Sequence, residues 1–120
     1  MIKITIQEVS EKYDLTKDTL RYYEKEGLIG PIVKNASGVR DYSEADLARI
    51  EFVKCMRSAG LSIGVLREYM RLYDEGDYTK DERIKLLEGE RDALKEKIRL
   101  MQDAYKKLEF KIQNYQKGIW

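Results

Sequence analysis

From Ile84 to Tyr115 the chain repeats a pattern of alternating steps of three and four: Ile84, Leu87, Arg91, Leu94, Ile98, Met101, Tyr105, Leu108, Ile112 and Tyr115. Nine of these ten positions are apolar, over more than four heptads, and only an α-helix gathers residues at that spacing onto one stripe. Thr79-Lys80-Asp81-Glu82 reads as a capping box that opens this helix. A helix of about 36 residues spans ~54 Å, far more than a domain of some 80 residues needs. An ordinary amphipathic helix packed on its own domain is the plainer alternative. The length favours a coiled-coil seam against a partner helix, most simply a homodimer, with Ile84, Leu87, Leu94, Ile98, Met101, Tyr105, Leu108 and Ile112 as dimerisation residues. Arg91 is a flaw in the seam that helps set register.

Ahead of the long helix the punctuation predicts four shorter ones. Thr5-Ile6-Gln7-Glu8 is a capping box opening a helix to about Tyr13; Asp14-Leu15 breaks it; Thr16 caps a second, which runs to about Glu26 and ends at Gly27. Gly30-Pro31 and Asn35-Ala36-Ser37-Gly38 are turn signals, and the pieces between them, Ile32-Val33 and Val39–Tyr42, pair as a small hairpin or wing. Ser43-Glu44-Ala45-Asp46 caps a third helix ending near Gly60, Ser62 caps a fourth to roughly Tyr73, and Glu75-Gly76-Asp77 forms a loop. The expected division is residues 1–76 as one domain and 77–120 as the dimerisation helix with a short tail.

Composition narrows the chemistry. One cysteine, Cys55, and no histidine leave no internal disulfide, no zinc cluster within one chain, and no Ser-His or Cys-His nucleophile. With no phosphate loop either, an enzyme is not expected, and no cofactor or metal is called for. No apolar run approaches the ~20 residues that cross a bilayer, and the start lacks a signal-peptide pattern, so a cytoplasmic protein without membrane contact is expected. Net charge is +1, and residues 1–42 carry seven Lys/Arg against seven Asp/Glu. Nucleic-acid binding here would have to come from where particular cations sit, not from bulk charge.

Two short helices with a tight turn, a wing, two more helices and a dimerising helix make a mainly α chain laid out as a winged helix-turn-helix DNA-binding domain. In the second helix Leu20 and Tyr23 face the core with Val9 and Leu15. That turns Lys17 with Arg21, and Asp18 with Tyr22, outward as i, i+4 pairs. Two cations, a carboxylate and a phenol suit phosphates and base edges in a major groove; Thr16, at the helix start, joins them as a candidate DNA contact. A merely solvated charged face fits the same stripe.

Thr19-Leu20-Arg21-Tyr22-Tyr23-Glu24, then Gly27-Leu28-Ile29, then Gly38-Val39-Arg40-Asp41-Tyr42 closely resembles the MerR family of bacterial regulators, from residue 4 to about 76 and, in kind, along the long helix. The resemblance implies that Arg21 and Tyr22 contact the DNA backbone while Tyr23 packs, and that Arg40 and Tyr42 in the wing grip phosphates or the minor-groove rim. For Tyr42 a packed ring anchoring the next helix stands beside contact. The resemblance also implies an antiparallel dimer, which the seam pattern does not itself reveal, on double-stranded promoter DNA. Such dimers sit in an overlong promoter spacer and bend and untwist it so that RNA polymerase meets both elements. A helical protein-interaction module without effector sensing is the competing class.

For the effector, only a few residues follow Tyr115, so a large drug-binding pocket is not expected. Metal-sensing relatives carry a cysteine where this chain has Tyr78 and Thr79, and a cysteine pair after the dimer helix, which is absent here. Ile50–Arg57 looks like the branch that keeps one cysteine in the third helix and responds to aldehydes or to nitrosative and thiol stress. Cys55 is then the candidate sensor; a buried thiol serving as a small hydrophobe is the other reading. Lys54 and Arg57 favour its thiolate, whereas Glu51 and the helix C-terminus oppose it.

Overall fold

Four hydroxyls set the starts of the first four helices, and the chain folds around them. Thr5 accepts from the Glu8 N–H at 3.2 Å while Glu8 accepts from the Thr5 N–H, and Ser43 and Asp46 repeat that reciprocal box at 3.1 and 2.9 Å. Thr16 accepts from the Thr19 N–H at 3.0 Å and Ser62 from the Val65 N–H at 3.1 Å. Each cap satisfies an N–H that the helix leaves unpaired and contributes about 1 kcal/mol.

The computed structural model describes residues 4–120. The helices are α1 (Ile6–Tyr13), α2 (Lys17–Lys25), α3 (Glu44–Ser58), α4 (Ile63–Glu75) and α5 (Lys80–Gln116), with strands β1 (Val33–Lys34) and β2 (Arg40–Asp41) between α2 and α3. The strands form an antiparallel hairpin pairing Val33 with Asp41 and Lys34 with Arg40. The expected hairpin is therefore present but displaced: Ile32 leaves the strand to enter the core, and Tyr42 leaves it to bridge Ile4, donating its N–H to the Ile4 carbonyl at 2.9 Å. The fourth helix runs on through Glu75, two residues beyond the expected end, and Gly76 caps it.

Two compact units divide the chain, one ending at Arg83 and the other running Ile84–Trp120. In the first, Val9 of α1, Leu20 and Tyr23 of α2, Ile50 and Val53 of α3 and Leu66 and Met70 of α4 share one core with Leu28, Ile29, Ile32 and Tyr42. In the second, helix α5 has no buried residue. The units divide later than the loop at residues 75–77 suggests, because the turn before α5 is tied back to α4.

Thr79 makes that tie, and it does not cap α5 as the sequence suggests. It closes a short 3₁₀ turn, Asp77–Thr79, and is buried. Its hydroxyl lies 2.6 Å from the Leu72 carbonyl and 2.7 Å from the Gly76 carbonyl, placed to donate to the end of α4, and accepts from Arg83 Nε at 3.1 Å. The capping pattern failed because the preceding helix offered carbonyls that a buried hydroxyl serves. Thr79→Val keeps the shape and strips the donor, so the unfolding free energy in urea should fall by about 1–3 kcal/mol, with Thr79→Ser close to wild type. Equal stability of the Val variant and wild type would assign the hydroxyl no structural role.

Candidate nucleic-acid interface

The turn between α1 and α2 is built by local chemistry. Asp14 takes a left-handed conformation, φ 53°, at the end of α1, a conformation that Asp tolerates better than most side chains. Ser10 then closes the bend from both sides: its carbonyl accepts from the Leu15 N–H at 3.1 Å and its hydroxyl donates to the Leu15 carbonyl at 2.5 Å. With Val9 and Leu20 fully buried and Tyr23 nearly so, α2 keeps one face in the core and leaves the other in solvent.

That outer face carries the expected residues. Thr16, Lys17, Asp18, Arg21 and Tyr22 are all exposed. The Thr16 hydroxyl caps α2 and donates to Thr19 Oγ1 at 2.8 Å, so it is committed locally. Arg21 and Asp18 form an ion pair at 3.1 Å, but at 49% and 96% exposure such a pair is worth little and gives way readily to a stronger anion. The Tyr22 ring lies 6.4 Å from that of Tyr23 and is 46% exposed, its neighbour buried.

The wing contributes differently than the sequence suggests. Asn35 Oδ1 accepts from the N–H groups of Ser37 at 2.9 Å and Val39 at 3.0 Å, and Gly38 takes φ 77°, so side chain and backbone together fix the tip. Arg40 is half-buried and bonds Glu24 at 2.8 Å through Nε, tying the wing to α2. Lys34, opposite Arg40 in the hairpin, is exposed and adds a wing cation that sequence reasoning passed over; its place across from Arg40 was readable only from the strand register. The Tyr42 ring is 1% exposed and lies inside the core, which fits the packed ring that stood beside DNA contact. Burial, and then the charge of Glu24, push its phenol above the ordinary 10.0.

Cys55 is exposed on α3, which sets aside the reading of a buried thiol within this chain. The cations beside it in sequence point elsewhere: Lys54 Nζ donates to the Tyr13 carbonyl and Arg57 to the Leu61 carbonyl at 2.7 Å. Among the described residues no cluster of His, Cys, Asp and Glu is placed to hold a metal, and no helix is long and apolar enough to cross a membrane. On α5, Ile84, Leu87, Ile98, Met101, Tyr105, Leu108 and Ile112 are exposed and Leu94 is half-buried, an apolar stripe without cover in one chain.

Comparison with known proteins agrees with this geometry. The family described as MerR HTH family regulatory protein matches residues 4–73, and the one described as MerR, DNA binding matches residues 47–109. The HTH-type transcriptional regulator AdhR of Bacillus subtilis is 50% identical over 91 residues, which is 76% of this chain and 65% of that protein, so the match spans just under two thirds of AdhR. A crystal structure of a MerR family transcriptional regulator from Listeria monocytogenes superposes with a TM-score of 0.91 at 48% identity, over 94% of this chain and 86% of that one. HiNmlR, described as a MerR family regulator lacking the sensor domain and bound to promoter DNA, superposes with a TM-score of 0.88 at 28% identity, over 98% and 93%.

Proposed function

This chain belongs to the MerR family of helix-turn-helix regulatory proteins, and from that premise we propose that it works as an antiparallel homodimer on promoter DNA, switching transcription by deforming the promoter. It is a DNA-binding transcriptional regulator of that family. The observation that carries the dimer is the open seam of α5. A helix with no buried residue draws little stability from within its own chain, and each Leu or Ile covered by a partner contributes about 1.5–3 kcal/mol. Arg91 favours the antiparallel direction. A parallel, in-register pair sets Arg91 against its own copy, like charge on like. The antiparallel register that pairs Ile98 with Met101 and Leu94 with Tyr105 puts Arg91 opposite Leu108 and keeps the two guanidinium groups about 25 Å apart.

In this reading α2 enters the major groove with Lys17, Asp18, Arg21 and Tyr22 outward and Thr16 at its start, while the wing, with Arg40 and Lys34, rides the phosphates. Two copies bind a two-fold-symmetric element, and bending the duplex costs of order 1–6 kcal/mol, which the paired contacts offset. The deformed promoter, with its overlong spacer, then becomes a substrate for RNA polymerase. Arg21→Ala and Arg40→Ala each remove one phosphate contact per protomer. Affinity for both promoter and random-sequence duplexes should drop, and the log–log salt slope should become shallower by about one to two units. If both folded variants keep the wild-type affinity and slope, these side chains are not at the interface.

We assign the inducing signal to Cys55. An exposed thiol is open to electrophiles: its sulfur adds to an aldehyde carbonyl carbon, and the thiol proton passes to the carbonyl oxygen. Free and modified protein then bind the promoter with similar affinity and bend it differently. Transcription from the target promoter under aldehyde or disulfide stress should be induced in wild type and flat in Cys55→Ser and Cys55→Ala. Induction of both variants like wild type would place the signal elsewhere.

A further inference from the structure

The wing is fixed at its root and at its tip. At the root the Ile4 N–H donates to Asp41 Oδ1 at 3.1 Å and the Tyr42 N–H to the Ile4 carbonyl at 2.9 Å; at the tip Asn35 Oδ1 accepts from Ser37 and Val39. Between the two, the Arg40 side chain reaches from the hairpin to α2 and donates through Nε to Glu24 Oε1 at 2.8 Å. Both side chains are largely covered, at 28% and 18% exposure, unlike the open Arg21–Asp18 pair.

Which nitrogen makes this bond decides what the arginine can still do. A guanidinium donates from Nε at its side and from its terminal nitrogens at its end. Among the described residues Glu24 is the only side-chain partner of Arg40, and it takes Nε alone. The terminal fork, the part that matches two oxygens of a phosphate, is left uncommitted. The Tyr42 phenol lies close by: burial first, then the charge of Glu24, raise it, and the charges of Arg40 and Arg21 act the other way. Its hydroxyl has no hydrogen-bond partner among the described residues, so it takes no share of the Glu24 carboxylate.

We propose that Glu24 is a positioning residue for DNA binding: it holds Arg40 by Nε so that the terminal nitrogens stand ready for a backbone phosphate. The proposal rests on the reading that the wing rides the phosphates, and deepens it. Two effects of Glu24 oppose each other. Its negative charge, brought near a polyanion, repels the duplex. Its grip takes rotamer freedom from Arg40 before the duplex arrives, so less is lost on binding. The guanidinium stands between carboxylate and phosphate, nearer to each than they are to one another, so its attraction for both exceeds their repulsion. The carboxylate therefore favours binding despite its sign.

A duplex of mixed sequence is a sufficient probe, because phosphate contacts do not read bases. Binding to the full chain is followed by fluorescence anisotropy over a salt series, with folding checked by circular dichroism and thermal unfolding. Glu24→Ala should weaken binding several-fold and make the log–log salt slope shallower, as Arg40→Ala does. Glu24→Gln, whose amide oxygen still accepts from Nε, should fall between Glu24→Ala and wild type; its sign decides even where the alanine variant is unstable. In an Arg40→Ala background the Glu24 substitutions should no longer weaken binding. Equal or tighter binding by the Glu24 variants makes Glu24 no more than a repelling charge, and an equal loss with and without Arg40 means that it does not act through the wing. Either result overturns the positioning and leaves the wing contact standing. Arg40→Ala binding like wild type overturns the wing contact and the positioning together.

Discussion

An apolar stripe that its own chain leaves uncovered is the constraint from which the rest of this protein's behaviour is derived. Helix α5 runs 37 residues with no buried side chain, while the seam from Ile84 to Tyr115 follows a heptad stripe that winds slowly around it. Water does not tolerate such a stripe cheaply, and a second copy of the same helix is the simplest cover. In the proposed dimer this gives two recognition helices per assembly and a two-fold-symmetric target. The DNA-binding unit supplies the contacts, but its two short helices and wing are a small surface for holding a duplex alone.

That unit works through local charge. The whole chain carries only +1, so the unit has no broad positive field to attract a polyanion. Its cations are placed instead: Lys17 and Arg21 on the outer face of α2, Lys34 on the hairpin, and Arg40 held by Glu24 at 2.8 Å. The Arg21–Asp18 and Arg40–Glu24 pairs differ in a useful way. The first is solvent-exposed and weak. The second is partly buried and ties the wing to α2.

Most of the helical layout was legible in the sequence because it is governed by groups a few residues apart. The boxes at Thr5–Glu8 and Ser43–Asp46, the caps at Thr16 and Ser62, and the core side of α2 at Leu20 and Tyr23 all depend on neighbours three or four positions away. What the sequence hid is tertiary. Thr79 has the spacing of a cap, yet it spends its hydroxyl on the end of α4. Tyr42 has the look of a wing contact, yet the bridge to Ile4 turns it into the core. Glu24 sits in the recognition helix with nothing in the sequence to mark it as the partner of Arg40, sixteen residues on. Lys54 and Arg57 flank Cys55 in sequence but donate to the Tyr13 and Leu61 carbonyls, partners that lie outside the helix they share with it.

The most direct test of the account is sedimentation equilibrium on the full chain, wild type beside a Leu94→Glu/Ile98→Glu double variant, with promoter binding measured on the same preparations. Each chain weighs 14.2 kDa. The account predicts a wild type at twice that mass and a variant at the single-chain mass, with the circular dichroism of α1–α4 retained and promoter binding lost. A wild type that sediments at 14.2 kDa while binding the promoter tightly, or a double variant that stays dimeric, would contradict it.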